Sequence, residues 1–302
     1  TRNEGYSDGP DTFPALLSCL CASLALLAPG CGSADDGGDA TGPVASDIPT
    51  GVALTISEGK IRGVVEGPVR VFRGIPYAAP PVGPNRFRAP QPPIPWTDER
   101  DATSFGSTCT QVGILSGATD PKSGEDCLFL NVWTPEPAPT SPRPVIFWVH
   151  GGAFIVGSGS QADYDATLLA QTTGAVVVTI NYRLGPLGFL GHAALAAEDP
   201  SHATGTYGLQ DQQEALRWVK RNIHVFGGDP QNVALAGESA GGFSVSAHLV
   251  APSSRGLFQR AMVQSGPLAR ATIPDVTEAG DQAAALGKAL GCTGTDAALV
   301  AC

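Results

Sequence analysis

The chain has 302 residues, 42% of them hydrophobic, with 38 Gly, 26 Pro and a formal net charge of −10. That length and apolar share suffice for a substantial buried core, in one large α/β domain or two smaller ones. Residues 1–48 carry one Arg against seven Asp or Glu, which leaves −4 for the rest, so the body is mildly acidic and offers no basic patch for nucleic acid.

Near the front, residues 13–28 (FPALLSCLCASLALLA) form an apolar run with the length of a signal-peptide core, short for a membrane span. It closes on Leu27, Ala28, Pro29, Gly30, Cys31, Gly32 and Ser33. A small residue before a cysteine, ahead of a polar tract, resembles a bacterial lipoprotein cleavage site with Cys31 as the acylated first residue. Secretion without acylation is the second reading. Residues 1–31 are therefore read as a leader, 32–50 as a flexible linker too polar and small to fold, and 51–302 as the folded domain. Either reading exports the domain, to a lipid anchor on a bacterial membrane or into the medium.

In the body, residues 52–65 alternate around Glu58-Gly59 and predict a β-hairpin, and 70–75 a further strand. The prolines of 76–95 forbid regular ladder or helix bonding and imply a long surface loop. Strands follow at 128–133 and 145–150, the second apolar enough to be buried on both faces. A helix at 163–171 closes at Gly174, where glycine relieves a left-handed cap. Residues 175–180 (AVVVTI) are a buried strand. From 208 to 226, Leu209, Leu216, Val219, Ile223 and Phe226 recur with the period of one helical face. Residues 232–236 and 261–264 read as strands, and 243–250, 275–290 and 296–302 as helices. Strands alternating with helices imply an α/β fold, a mostly parallel sheet wrapped by helices, with its site at the carboxyl ends of the strands.

The chemistry concentrates in residues 232–247, NVALAGESAGGFSVSA. An apolar strand, a small-residue turn and a helix place Ser239 as a nucleophile elbow, with Gly237 and Gly241 leaving room where strand and helix nearly touch. A serine hydroxyl needs a base, and its tetrahedral intermediate needs donors for the oxyanion. The donors are visible. After Val149 come His150, Gly151, Gly152, Ala153 and Phe154, a turn that can present backbone N–H groups, and Ala240 adds its own. Four body cysteines, Cys109, Cys127, Cys292 and Cys302, lack metal or redox spacing. Local loops, 109 with 127 and 292 with 302, are their simplest pairing, and sequence alone leaves the others open. Nothing in the sequence calls for a metal or a cofactor.

With these residues in view, the chain resembles the type B carboxylesterase family, the α/β-hydrolases that include carboxylesterases and cholinesterases. The resemblance rests on FRGIPY (72–77), RFRAP (86–90), EDCLFLNV (125–132), the 149–154 turn and NYRLGPLGFL (181–190). It continues through YGLQDQQEALRWV (207–219), NIHVFGGDP (222–230), the elbow and QSG (264–266), in matching order. It implies the α/β-hydrolase fold and hydrolysis of a small-molecule ester through an acyl-enzyme at Ser239, with Gly152, Ala153 and Ala240 as oxyanion donors and no cofactor or metal. Ala153 stands where many members have glycine; its donor is backbone, and its methyl narrows the pocket. The resemblance also implies disulfides Cys109–Cys127 and Cys292–Cys302, structural ion pairs Arg86 with Glu125 and Arg183 with Asp211, and a supporting Ser265. Glu238 is read as electrostatic support, since adjacent side chains on an elbow diverge. The family's triad acid and histidine follow the nucleophile in sequence, in that order. None of the five histidines, His150, His192, His202, His224 and His248, fits that place. They are expected beyond residue 302, and this chain by itself is expected to turn over little. A non-catalytic, cholinesterase-like binding or adhesion domain is the alternative.

Overall fold

A computed structural model describes residues 51–113, 117–266 and 276–292. The leader with Cys31, the linker, the expected 296–302 helix and Cys302 lie outside the described residues.

Strands β1 (Val52–Ile56) and β2 (Gly59–Glu66) form the expected hairpin, with Ile56 opposite Gly59. Strand β3 (Val69–Pro76) continues it antiparallel. The proline-rich stretch then runs largely without regular structure, as the missing N–H donors require. Three two-residue strands follow, β4 (Arg100–Asp101), β5 (Thr108–Cys109) and β6 (Ser123–Gly124). The main strands resume with β7 (Phe129–Pro135) and β8 (Arg143–Val149). Helix α1 (Thr167–Thr173) ends on Gly174 at φ 67°, the left-handed cap expected there. The 163–171 reading began too early, because residues 162–164 are a separate tight turn. After β9 (Val176–Ile180) come two short helices that the hydrophobic pattern does not announce, α2 (Gly185–Phe189) and α3 (Ala193–Glu198). Then follow α4 (Tyr207–Asn222), β10 (Gly228–Glu238), α5 (Ala240–Val250), β11 (Arg260–Gln264) and α6 (Val276–Ala289).

The main sheet runs β1-β2-β3-β7-β9-β8-β10-β11, with β4 pairing β2 at its side. Antiparallel pairing extends beyond the hairpin, through β3 and β7 to β9. From β9 onward the pairs are parallel, β9 with β8, β8 with β10 and β10 with β11. This is the α/β-hydrolase architecture, and its parallel part carries the site. There the strands need crossover connections, and α1, α4 and α5 fill them.

The core lies on the α4 face of the sheet. Phe147, Val149, Val178 and Leu235 from the strands meet Leu216, Trp218 and Val219 from α4. Phe226 closes the layer, edge-on to Phe72 at 5.1 Å. The expectation that β8 is buried on both faces is corrected. Val145, Phe147 and Val149 are buried, whereas Ile146 and Trp148 are half-buried and line a cavity of about 230 Å³ beside Tyr164 and Leu169. Helix α1 has only seven residues, too few to cover this face of β8 as it covers Val177 of β9. Strand β11 is exposed along its length. Among the described residues no helix is long and apolar enough to cross a membrane.

Candidate active site

Ser239 lies between the end of β10 and the start of α5, at φ 52° and ψ −119°. A side-chain-bearing residue at positive φ costs on the order of 1–3 kcal/mol, so its surroundings must hold it there. They do so through backbone contact. The Ser239 N–H donates to the Gln264 carbonyl at 2.9 Å, and the Phe243 N–H donates to the Ser239 carbonyl at 2.9 Å. A Cβ at Gly241 would collide with the Val149 carbonyl oxygen, and one at Gly237 would stand 2.6 Å from the Gly241 carbonyl carbon. A Cβ at Gly266 would collide with the Ser239 carbonyl oxygen. The glycines around the serine are thus a steric requirement of strand and helix meeting at backbone distance.

Facing the elbow is the turn after β8. Three successive residues have positive φ, Gly152 at 109°, Ala153 at 54° and Phe154 at 62°. The Ile155 and Val156 N–H groups close the turn on the Gly152 carbonyl, each at 3.0 Å. Among the described residues the N–H groups of Gly152, Ala153 and Ala240 have no acceptor. Ala240 opens α5, where the N–H lacks an intrahelical partner and the helix dipole favours negative charge.

His150 supports this turn from below. Its Nδ1–H donates to the Gly151 carbonyl at 2.7 Å, and its ring stacks on Tyr182 at 4.4 Å. The Tyr182 hydroxyl donates back to the His150 carbonyl at 2.9 Å. Burial pushes the His150 imidazole down to about 4, so it stays neutral near pH 7. Gly151 fixes the distance between turn and elbow. A Cβ there would stand 2.8 Å from Glu238 Oε2 and 3.2 Å from Ser239 Cβ. Glu238 and Ser239 therefore both border this glycine.

The other anticipated residues fall as follows. Ser265 is exposed at φ 53°, and its segment meets the elbow through the backbone of Gln264 and Gly266 rather than its hydroxyl. Cys109 and Cys127 are joined, closing a loop of 18 residues. The partner expected for Cys292, Cys302, lies outside the described residues. Arg86 pairs with Glu125 through Nε at 2.6 Å, and Arg183 pairs with Asp211 through Nη2 at 2.7 Å. The first pair is partly exposed and the second buried. Burial alone would lower the Arg183 pKa, but the charge and hydrogen bonds of Asp211 outweigh it and hold the guanidinium above its usual value. The Arg183 N–H also donates to Asp211, which ties the loop after β9 to α4. His192 caps α3 by accepting from the Ala194 N–H at 3.2 Å. His248 is buried between Ser254 and Gln212. Among the described residues no histidine is hydrogen-bonded to Ser239, and no cluster of His, Cys, Asp and Glu could hold a metal.

A strained serine between strand and helix, opposite a turn of free N–H groups, fits the resemblance seen in the sequence. The profile of the Carboxylesterase family matches residues 51–302. The chain belongs to the carboxylesterase family. Among relatives, the para-nitrobenzyl esterase of Bacillus subtilis (strain 168) is 49% identical over 70% of this chain and 43% of its own length. The fumonisin B1 esterase of Sphingopyxis macrogoltabida is 46% identical over 76% of this chain and 42% of its own. The acetylcholinesterase of Gallus gallus is 44% identical over 82% and 34%. A solved PNB esterase structure superposes with a TM-score of 0.74 at 43% identity, covering 82% of this chain and 50% of its own. A Geobacillus stearothermophilus carboxylesterase gives 0.65 at 46%, covering 72% and 44%. This carboxylesterase-family chain therefore spans half or less of the length of these relatives.

Proposed function

We propose that the protein is a serine carboxylic-ester hydrolase working through an acyl-enzyme at Ser239. The Ser239 Oγ attacks the ester carbonyl carbon while its proton passes to a general base. The carbonyl oxygen becomes an oxyanion held by the N–H groups of Gly152, Ala153 and Ala240. Collapse expels the alcohol, with the proton returned to it, and water then releases the acid by the same route. The base is a histidine oriented by an acid, both outside the described residues. His150 and His248 do not serve in this reading: neither is hydrogen-bonded to Ser239, His150 is fixed through Nδ1 to the Gly151 carbonyl, and both nitrogens of His248 are taken by Ser254 and Gln212.

The observation that carries this reading is the pairing of positive-φ Ser239 with three acceptor-free N–H groups across Gly151. A donor site of this kind is worth about 10²–10³ in turnover per donor. Full-length protein should hydrolyse p-nitrophenyl butyrate, and Ser239→Ala should lose at least about 10⁴-fold. Equal rates in the two would refute the assignment. The names of the relatives favour a small-molecule ester as substrate.

We further infer that the domain is exported, with acylated Cys31 as a membrane tether. The Cys109–Cys127 disulfide suits an oxidising compartment. Cys31→Ser should move the protein from the membrane fraction to the soluble one; an unchanged distribution counts against the tether.

A further inference from the structure

Helix α5 is attached to α4 by a line of buried polar groups that the ester chemistry does not use. Gln212, Ser244, His248 and Ser254 are each no more than 2% exposed. Gln213 Nε2 donates to Ser254 Oγ at 3.0 Å, and Ser254 Oγ lies 2.9 Å from His248 Nδ1. On the other side of the ring, His248 Nε2 lies 2.8 Å from Gln212 Oε1. Gln212 Nε2 donates to Ser244 Oγ at 3.0 Å, and Ser244 Oγ donates to the Ala240 carbonyl at 3.1 Å.

The chemistry of these groups leaves one direction for the line. Gln212 gives its amide N–H to Ser244, so its Oε1 must accept, and the imidazole must present Nε2–H to it. Nδ1 is then bare and accepts the Ser254 hydroxyl, which accepts in turn from Gln213. Every member donates forward, from Gln213 to the carbonyl of Ala240, the residue after the nucleophile. The line is buried and satisfied, the condition under which a polar network adds orientation rather than cost. Its anchor on α4 is firm, since Asp211, next to Gln212, takes Arg183 Nε at 2.8 Å and Nη2 at 2.7 Å.

We propose that Ser244, Gln212 and His248 are positioning residues of the esterase site, which hold α5 on α4 and so help set the orientation of α5 and the aim of the Ala240 N–H. This rests on the reading of Ser239 as nucleophile and Ala240 as oxyanion donor. The glycine contacts at the start of α5 hold its first turn against the backbone of the neighbouring strands. The hydrogen-bond line holds the turns after it to α4, and each of its bonds has a direction. A small misplacement of a donor costs rate in the chemical step and leaves substrate binding largely intact.

The test uses full-length protein, with competent sites counted by a fluorophosphonate that labels the nucleophile. Gln212→Met and Ser244→Ala cut the line at nearly constant volume. Each should lower kcat per labelled site on p-nitrophenyl butyrate by about 10-fold, with KM within about twofold. Ser244→Thr, which restores the hydroxyl, should recover most of the loss. NMR of labelled histidine should find His248 protonated on Nε2 and bare on Nδ1. Wild-type kcat per labelled site in both cut variants, or a ring protonated on Nδ1 alone, overturns the proposal. Should both fail to fold, Ser254→Ala at the far end of the line replaces them. A lowered kcat there supports the line, and an unchanged one overturns it. Labelling of Ser239→Ala would instead remove the nucleophile assignment, while the NMR result would still judge the line.

Discussion

The first turn of α5 and the two turns after it are held by different kinds of force. The first turn has almost no side chains, and Gly241 and Gly242 lie against the backbones of Val149, Gln264 and Gly266. Further along, Ser244 and His248 are buried side chains whose attachments are hydrogen bonds to α4 and to Ser254. Steric contact admits no substitute, because the smallest added group enters occupied space. Hydrogen bonds tolerate isosteres that keep donor and acceptor, and they fail when a proton is added in the wrong place. Ser239 is thus placed by contact and, on the proposal above, its neighbour is aimed by polarity.

The strongest way to break this comparison is Gly241→Ala. Its Cβ would collide with the Val149 carbonyl oxygen, a backbone atom that cannot move aside cheaply. Hydrolysis should fall by about 10³-fold or more, and urea unfolding should show a loss of about 3 kcal/mol. A fully active, stable variant would mean that the contact does not hold the elbow.

Acid acts on the polar turns instead. Burial lowers both His150 and His248 from 6.5 to about 4, so the folded protein takes up these protons later than the unfolded chain does. Their contribution is intact at pH 7, declines as the pH falls below 6.5, and levels off below about 4. Urea unfolding at stepped pH should show a loss of up to roughly 3 kcal/mol for each ring across that window. His248→Gln should flatten the slope by about half; an unchanged slope would mean that His248 is not buried neutral.

The smallest effect sharpens the steric side. Ala153 sits at φ 54°, where glycine is at ease. Ala153→Gly should stabilise the protein by about 1 kcal/mol while keeping the backbone donor, so esterase activity should survive. A loss of stability on thermal melting would contradict the backbone strain.

Much of this was legible in the chain. The elbow, the positive-φ turn after β8, the hairpin, the Gly174 cap and the Arg183–Asp211 pair all leave local or family marks. Helix α4 was legible only in part. Its apolar period picks out Leu216 and Val219, yet the folded helix also buries Asp211, Gln212, Gln213 and Asn222, while Leu209 is only half-buried. A helix packed between a sheet and other helices buries polar positions as well, and a one-face period cannot announce them. The last turn, 223–226, tightens into 3-10 geometry before Gly227 at φ 84°. Strand β10 starts earlier than its apolar core, at Gly228 opposite Arg143, because pairing with β8 recruits residues that read as a turn. Helices α2 and α3, of five and six residues, are too short for any period to register.

By itself the sequence determined the order of strand, turn and helix around Ser239 and the family to which the chain belongs. It could do so because positive φ and backbone contact select glycine, and that selection is written residue by residue. Only the tertiary structure decided that the strands lie in the order β7-β9-β8-β10, that Gly151 sets the spacing of turn and elbow, and that Gln212 meets Ser244 and His248. The Gln212 contacts join residues 32 and 36 positions apart, and no local pattern specifies which buried polar group will face which once the layers close.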